Sequence, residues 1–150
     1  MKLRKLSECN LGFTIIEVVV VIAVLMLLAG LGLWTSLDFY RTYALNSEQS
    51  MAVSLLSMAR ARAMNNVNQS PHGLFITSTE YVLFQGSSYA LRNVWYDEKT
   101  PIAYVVSLSG IQEVVFAPLT GEVITTGDIV LSERRKSVTI TINNEGRIAW

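Results

Sequence analysis

The chain has 150 residues, with 12 basic and 12 acidic side chains, one cysteine and one histidine. That length carries one domain with a modest core and excludes two. The charge balance gives no global field toward nucleic acid, and the lone thiol, Cys9, excludes an internal disulfide framework. Hydrophobic residues make up 51% and mean hydropathy is +0.36, and much of that excess sits near the start.

Residues 1–12 form a short basic head, with Lys2, Arg4 and Lys5 against Glu8. Residues 13–34 follow as a predicted transmembrane helix. Val18 to Trp34 are 17 residues without a polar side chain, and with Phe13 to Glu17 the run spans a hydrocarbon core of about 30 Å. Positive charge before a first span keeps that end cytoplasmic, so the rest of the chain is expected outside the cytoplasm. A cleaved secretory signal is the rival reading. Its small-residue cleavage pattern is poorly met by Leu31-Gly32-Leu33-Trp34, and the apolar run exceeds a usual signal core. Without the head, nine basic and eleven acidic residues remain.

The helical pattern continues over residues 35–66. Leu37, Tyr40, Ala44, Met51, Leu55, Met58 and Arg62 recur at helical spacings and predict one buried face. Asp38, Arg41, Asn46, Glu48, Ser50 and Ser57 lie on the other. The reading is one long helix from about residue 14 to 66, roughly 75–80 Å if unbroken, ended by the Asn-rich run before Pro71. Gly30 and Gly32 are its weak points.

Residues 72–150 read as β-rich. Predicted strands are 72–77, 81–85, 102–109, 113–117, 122–125, 128–132, 137–143 and 146–150. Hairpin signals stand at Ser78-Thr79-Glu80 and Asn144-Glu145-Gly146. Val138, Ile140 and Ile142 alternate with Thr139 and Thr141, giving one buried and one wet face. A long helix followed by antiparallel strands predicts an α+β fold, a sheet domain packed on the helix.

The stretch Gly12-Phe13-Thr14-Ile15-Ile16-Glu17, behind a basic head and ahead of an apolar run, resembles the class III leader of the type IV pilin and pseudopilin superfamily. The resemblance implies a pilin-like fold. It also implies cleavage by a prepilin peptidase between Gly12 and Phe13, and N-methylation of Phe13. Glu17 then becomes the fifth mature residue, implied to pair during assembly with the Phe13 amine of a neighbouring subunit. An unpartnered ionised group in a bilayer costs about 2–3 kcal/mol or more. A charge partner explains why such a residue is kept, and placement at the membrane edge with the carboxylate in water explains it equally. Further along, Ala59-Arg60 with Ala63, Gly73 leading the first strand, and Gly146-Arg147 near the end resemble the minor pseudopilins of the GspH/FimT type.

No other constellation carries chemistry. His72 is a lone histidine at a loop-to-strand junction, expected exposed, with no second ligand for zinc and no triad. Asp97-Glu98-Lys99 is read as a solvated turn rather than a calcium loop. Arg134, Arg135 and Lys136 form a basic hairpin tip, with Arg147 expected nearby. Together they are candidate anion or DNA contacts, against the plain reading of a soluble turn. DNA-uptake pilins resembling this chain carry a second arginine two residues after Gly-Arg, where this chain has Ala149. Tyr81, Phe84, Tyr89, Trp95, Tyr96 and Tyr104 are read either as a binding surface or as core.

The resemblance therefore implies a non-enzymatic minor pseudopilin of a type II secretion system. It would be single-pass in the bacterial inner membrane and assemble near the tip of a short periplasmic filament that supports protein export. The implied partners are the prepilin peptidase, other pilins or pseudopilins, the inner-membrane assembly platform and lipid. No cofactor, metal or nucleic-acid partner is expected. The alternatives are a minor type IV pilin in pilus assembly, adhesion or DNA uptake, and a bitopic protein that never assembles.

Overall fold

The computed structural model describes residues 12–103, 106–134 and 136–150, without the side chains of 32–38. The basic head with Cys9, and the individual residues Tyr104 and Arg135, lie outside the described residues. The fold is α+β: one long α-helix, two short 3-10 turns and two antiparallel sheets.

Helix α1 runs Ile15–Met64, 50 residues. Thr14 starts it, its carbonyl accepting the first helical bonds from Glu17 and Val18 at 3.1 and 3.2 Å. Asn66 stops it with φ 51°, the left-handed step that asparagine tolerates after a helix end. The chain divides into two compact units, Met1–Asp38 and Phe39–Trp150. In the first, the large apolar side chains of α1 are mostly exposed, from 45% at Ile22 to 85% at Ile15. Among the described residues, no helix is long and apolar enough to cross a membrane.

In the second unit, α1 contributes Leu45, Ala52, Leu55, Leu56, Ala59 and Ala63 to the core. This corrects the predicted face. Tyr40, Met51 and Met58 are exposed and Ala44 is only half-buried, whereas Leu55 is buried as expected. Size misled the reading. The line that meets the sheets is rich in alanine, which lets strands approach the helix backbone, while bulky Tyr and Met face away.

The first sheet has the order β3-β2-β1-β5, with β1 His72–Ile76, β2 Glu80–Gln85, β3 Glu98–Pro101 and β5 Glu113–Phe116. The second is β4-β6-β7-β8, with β4 Ser107–Gly110, β6 Gly127–Glu133, β7 Lys136–Ile142 and β8 Ile148–Ala149. So the expected single sheet is two. One core joins both to α1: Leu74, Ile76, Tyr81, Leu83 and Phe116 from the first sheet, Ile129, Leu131, Ile140 and Ile142 from the second. The alternation in β7 is as predicted, with Ile140 and Ile142 buried and Thr139 and Thr141 exposed.

Several strand expectations change: among the described residues, 102–109 is strand only from Ser107 and 146–150 only at Ile148–Ala149. Residues 122–125 form no strand, only an isolated bridge from Val123 to Phe116, and Ile124 is 93% exposed. Asp97-Glu98-Lys99 is no free turn: Glu98 and Lys99 belong to β3, the edge strand paired with β2. An edge tolerates its Pro101 and its charges.

Strand β2 is buried on both faces, from Tyr81 through Phe84. Tyr81 and Leu83 enter the main core. The opposite face is covered by the 86–97 loop. Its Tyr89 stacks on Phe75 with ring centroids 3.8 Å apart and meets Phe84 edge-on at 5.8 Å. Gly73 is required beneath: a Cβ there would sit 2.6 Å from the Phe84 ring.

Candidate functional site

At the start of α1, Phe13 is 82% exposed and Glu17 is exposed. Both line one shallow groove of about 230 Å³ together with Val18, Val21 and Ile22. Phe13, just ahead of the helix, and Glu17 in its first turn thus share one groove. Sequence reasoning missed a local role. Thr14 and Glu17 stand in the Thr-x-x-Glu spacing of a capping box, and the Glu17 amide donates to Thr14 Oγ1 at 3.4 Å. A carboxylate in the first turn also complements the helix dipole.

Among the described basic residues, Arg147 does not join Arg134 and Lys136. Arg134 is exposed, with φ 47° at the β6–β7 turn. Lys136 Nζ donates to Thr42 Oγ1 on α1 at 2.6 Å, and beside it Arg41 pairs with Glu133 at 3.5 Å. Arg147 follows the turn at the far end of β7, where its amide donates to Asn143 Oδ1 at 2.7 Å. The strand between them separates Arg147 from the tip by roughly 20 Å at about 3.3 Å per residue. The expectation that Arg147 lies near Arg134 and Lys136 is corrected: the connection from β7 to β8 is a tight turn at the other end of the strand.

The two distant motifs near α1's end and the C-terminus do meet. Ala59 and Ala63 are fully buried. Arg60, between them, reaches Glu145, its Nη2 donating to the carbonyl at 3.3 Å. Gly146, at φ 72°, packs so tightly that a Cβ would collide with the Gly121 carbonyl and come within 3.1 Å of Arg60 Nε. Leu119 donates its amide to Ala63 O at 2.9 Å, and Val123 to Asn144 O at 3.0 Å. The helix end, the 117–123 loop and the 143–146 turn are one knot, and Arg60 with Gly146 serves its packing.

Several other candidates change character. His72 is buried, not exposed, with Nε2 3.1 Å from Val67 O. Asp97 holds Arg92 through both carboxylate oxygens, at 2.9 and 3.1 Å from Nε. That bond to Asp97 raises the Arg92 guanidinium further above its ordinary value, and the guanidinium lies 3.7 Å above the Tyr89 ring. Glu98 pairs with Arg62 at 2.8 Å, and Lys99 with Glu80 at 3.3 Å.

The aromatic set splits. Tyr81 and Phe84 are core, while Trp95 is 93% exposed and Tyr96 about half. Tyr81 keeps one polar tie, its hydroxyl 3.3 Å from Glu48 Oε2, while Glu48 Oε1 accepts the Ala103 amide at 2.9 Å. Burial, reinforced by Glu48, pushes the Tyr81 phenol well above its usual range. Among the described residues no cluster of histidine, cysteine or acidic groups is arranged to hold a metal.

Comparison of the chain with protein-family models, with curated proteins and with solved structures gives no match.

Proposed function

We propose that this chain is a minor pseudopilin of pilin-like fold, processed between Gly12 and Phe13 and built into a short filament of a type II secretion system. One observation carries the reading: Gly12-Phe13 and Glu17 stand at the head of a 50-residue helix whose apolar side chains from Ile15 to Leu31 are left in the open. At about 25 cal/mol per Å², such a surface needs a cover. The unbroken apolar sequence from Val18 to Trp34 suits lipid before assembly and neighbouring helices after it.

Cleavage at Gly12 would free a charged amine on Phe13, one turn from Glu17. In apolar surroundings a carboxylate lacking a partner is costly, so the Phe13 amine of an incoming subunit would fix its register on Glu17. The exposed Tyr40, Tyr43, Met51 and Met58 on the later half of α1 offer further apolar surface suited to helix-to-helix contact. No group in the domain is assigned a catalytic part.

The test is the extracellular proteome of a strain lacking the gene, with piliation and transformation scored in the same cultures. Loss of a set of secreted proteins with normal transformation is expected. Normal secretion with lost piliation or transformation moves the chain to the type IV pilus alternative.

A further inference from the structure

We infer that the cleft between the end of α1 and the 86–97 loop binds a neutral or N-acetylated oligosaccharide. The cleft holds about 280 Å³ and lies wholly within the second unit, close to the lower end of pockets that take small ligands. Trp95 and Tyr96 form one wall, with Arg62, Asn68, Gln85 and Glu98 around it. An indole exposed to 93% costs free energy unless it meets a partner.

The backbone that carries the indole is fastened. Its loop is fastened by Tyr89 on Phe75, by Arg92 over Tyr89 and by Arg92 on Asp97, and the Trp95 amide donates to Asn93 Oδ1 at 3.2 Å. A fastened loop leaves little backbone ordering entropy to lose on binding.

Amide side chains complete the lining. Asn68 Nδ2 donates to Gln85 Oε1 at 2.8 Å. That pair uses one donor and one acceptor, and each amide keeps further donors and lone pairs for a ligand. Asn68 and its neighbours Asn66 and Gln69 all carry φ between 51° and 54°. Left-handed backbone at Asn68 and Gln69 in succession is a local strain, of the kind that collects at ligand clamps. Buried His72 ties this segment to β1 through Val67 O.

Charge decides the ligand class. Arg62 is matched by Glu98 through two bonds, at 2.8 and 3.0 Å, and Asp97 by Arg92. No unmatched cation is left in the lining to attract phosphate, which argues against nucleic acid. Planar amides and paired charges beside an aromatic face suit a ring that presents hydroxyls at its rim and C–H groups on its face. Among the described residues Val67 is the one aliphatic side chain in the lining, and Leu91 and Val94 lie outside it.

The test is calorimetric titration of the full chain, in a detergent without a sugar headgroup, with chitotetraose, maltotetraose and cellotetraose. At least one is expected to bind, with Kd raised about tenfold in Trp95→Ala and about threefold or more in Asn68→Ala. Trp95 is solvent-exposed, so its variant is expected to melt as the parent does, and thermal unfolding checks this. Absence of binding to all three sugars, or equal binding by Trp95→Ala, overturns the inference. So does release of a neighbouring subunit from isolated filaments by Trp95→Ala without any sugar binding. Failure of sugar binding alone leaves the filament reading standing, since that reading rests on α1 at 12–31 and on Tyr40, Tyr43, Met51 and Met58, none of which lines the cleft.

Discussion

Two stretches of the same helix have opposite surroundings. From Ile15 to Leu31, α1 buries no large apolar side chain within its own chain. From Leu45 to Ala63 it buries six residues in a core shared with both sheets. The first stretch is the more hydrophobic, yet it contributes less to the stability of the folded chain. Hydrophobicity alone does not place a residue in a core. The partner surface does, and for the first stretch the proposed partners are lipid and other copies of the helix.

Truncations make the contrast sharpest. Leu56→Ala, in the core, is expected to lower domain stability by about 2–5 kcal/mol. Leu25→Ala is expected to leave the unfolding of the second unit unchanged. Thermal melts of both variants followed by circular dichroism check this, and equal losses would break the comparison.

A smaller effect tests which face of the later stretch is buried. Ala59 and Met58 are neighbours, one fully buried and one 40% exposed. Ala59→Leu forces extra volume between helix and sheet and is expected to cost about 1–3 kcal/mol. Met58→Ser is expected within about 0.5 kcal/mol in domain stability, while weakening helix-to-helix assembly measured by cross-linking.

The smallest effect concerns the core's polar tie. Tyr81→Phe removes the hydroxyl bond to Glu48 and is expected to cost about 1 kcal/mol at neutral pH. The ordinary phenol value is 10.0 and the folded value is higher. Above about pH 10 the unfolded chain therefore loses this proton while the folded chain keeps it. Stability falls with rising pH there, and the Tyr81→Phe variant lacks that part of the fall. Unfolding midpoints from pH 7 to 11 for both proteins measure it.

Much of the fold was legible because period and punctuation agreed. β1, β2, β5, β6 and β7 fall where alternation and turn residues placed them, and the α1 bounds lie within about two residues of expectation. Failures came where a residue's partner was remote in sequence. β3 reads as a polar turn because Glu98 and Lys99 are stabilised by Arg62 and Glu80, invisible to local pattern. The helix face was misread because alanine gives a weak hydrophobic signal even where it makes the tightest contact. His72 looked exposed because its hydrogen-bond partner, Val67 O, is a backbone atom that no sequence pattern marks.

At the site, Phe13 and Glu17 were singled out by the resemblance of residues 12–17 to a class III leader, and the folded chain places both on one groove. The association of Arg60 with Gly146 was present as two separate motifs whose meeting only the folded chain reveals. The Trp95 cleft had no signal beyond an aromatic in a loop, because its walls come from four separate segments.

The most direct test of the central claim is the intact mass of the chain extracted from the membranes of its native host, with the N-terminal peptide sequenced. The account predicts a chain that begins at N-methylated Phe13, with the first 12 residues gone. A chain that retains residues 1–12, or is cut after the apolar run near Trp34, contradicts it.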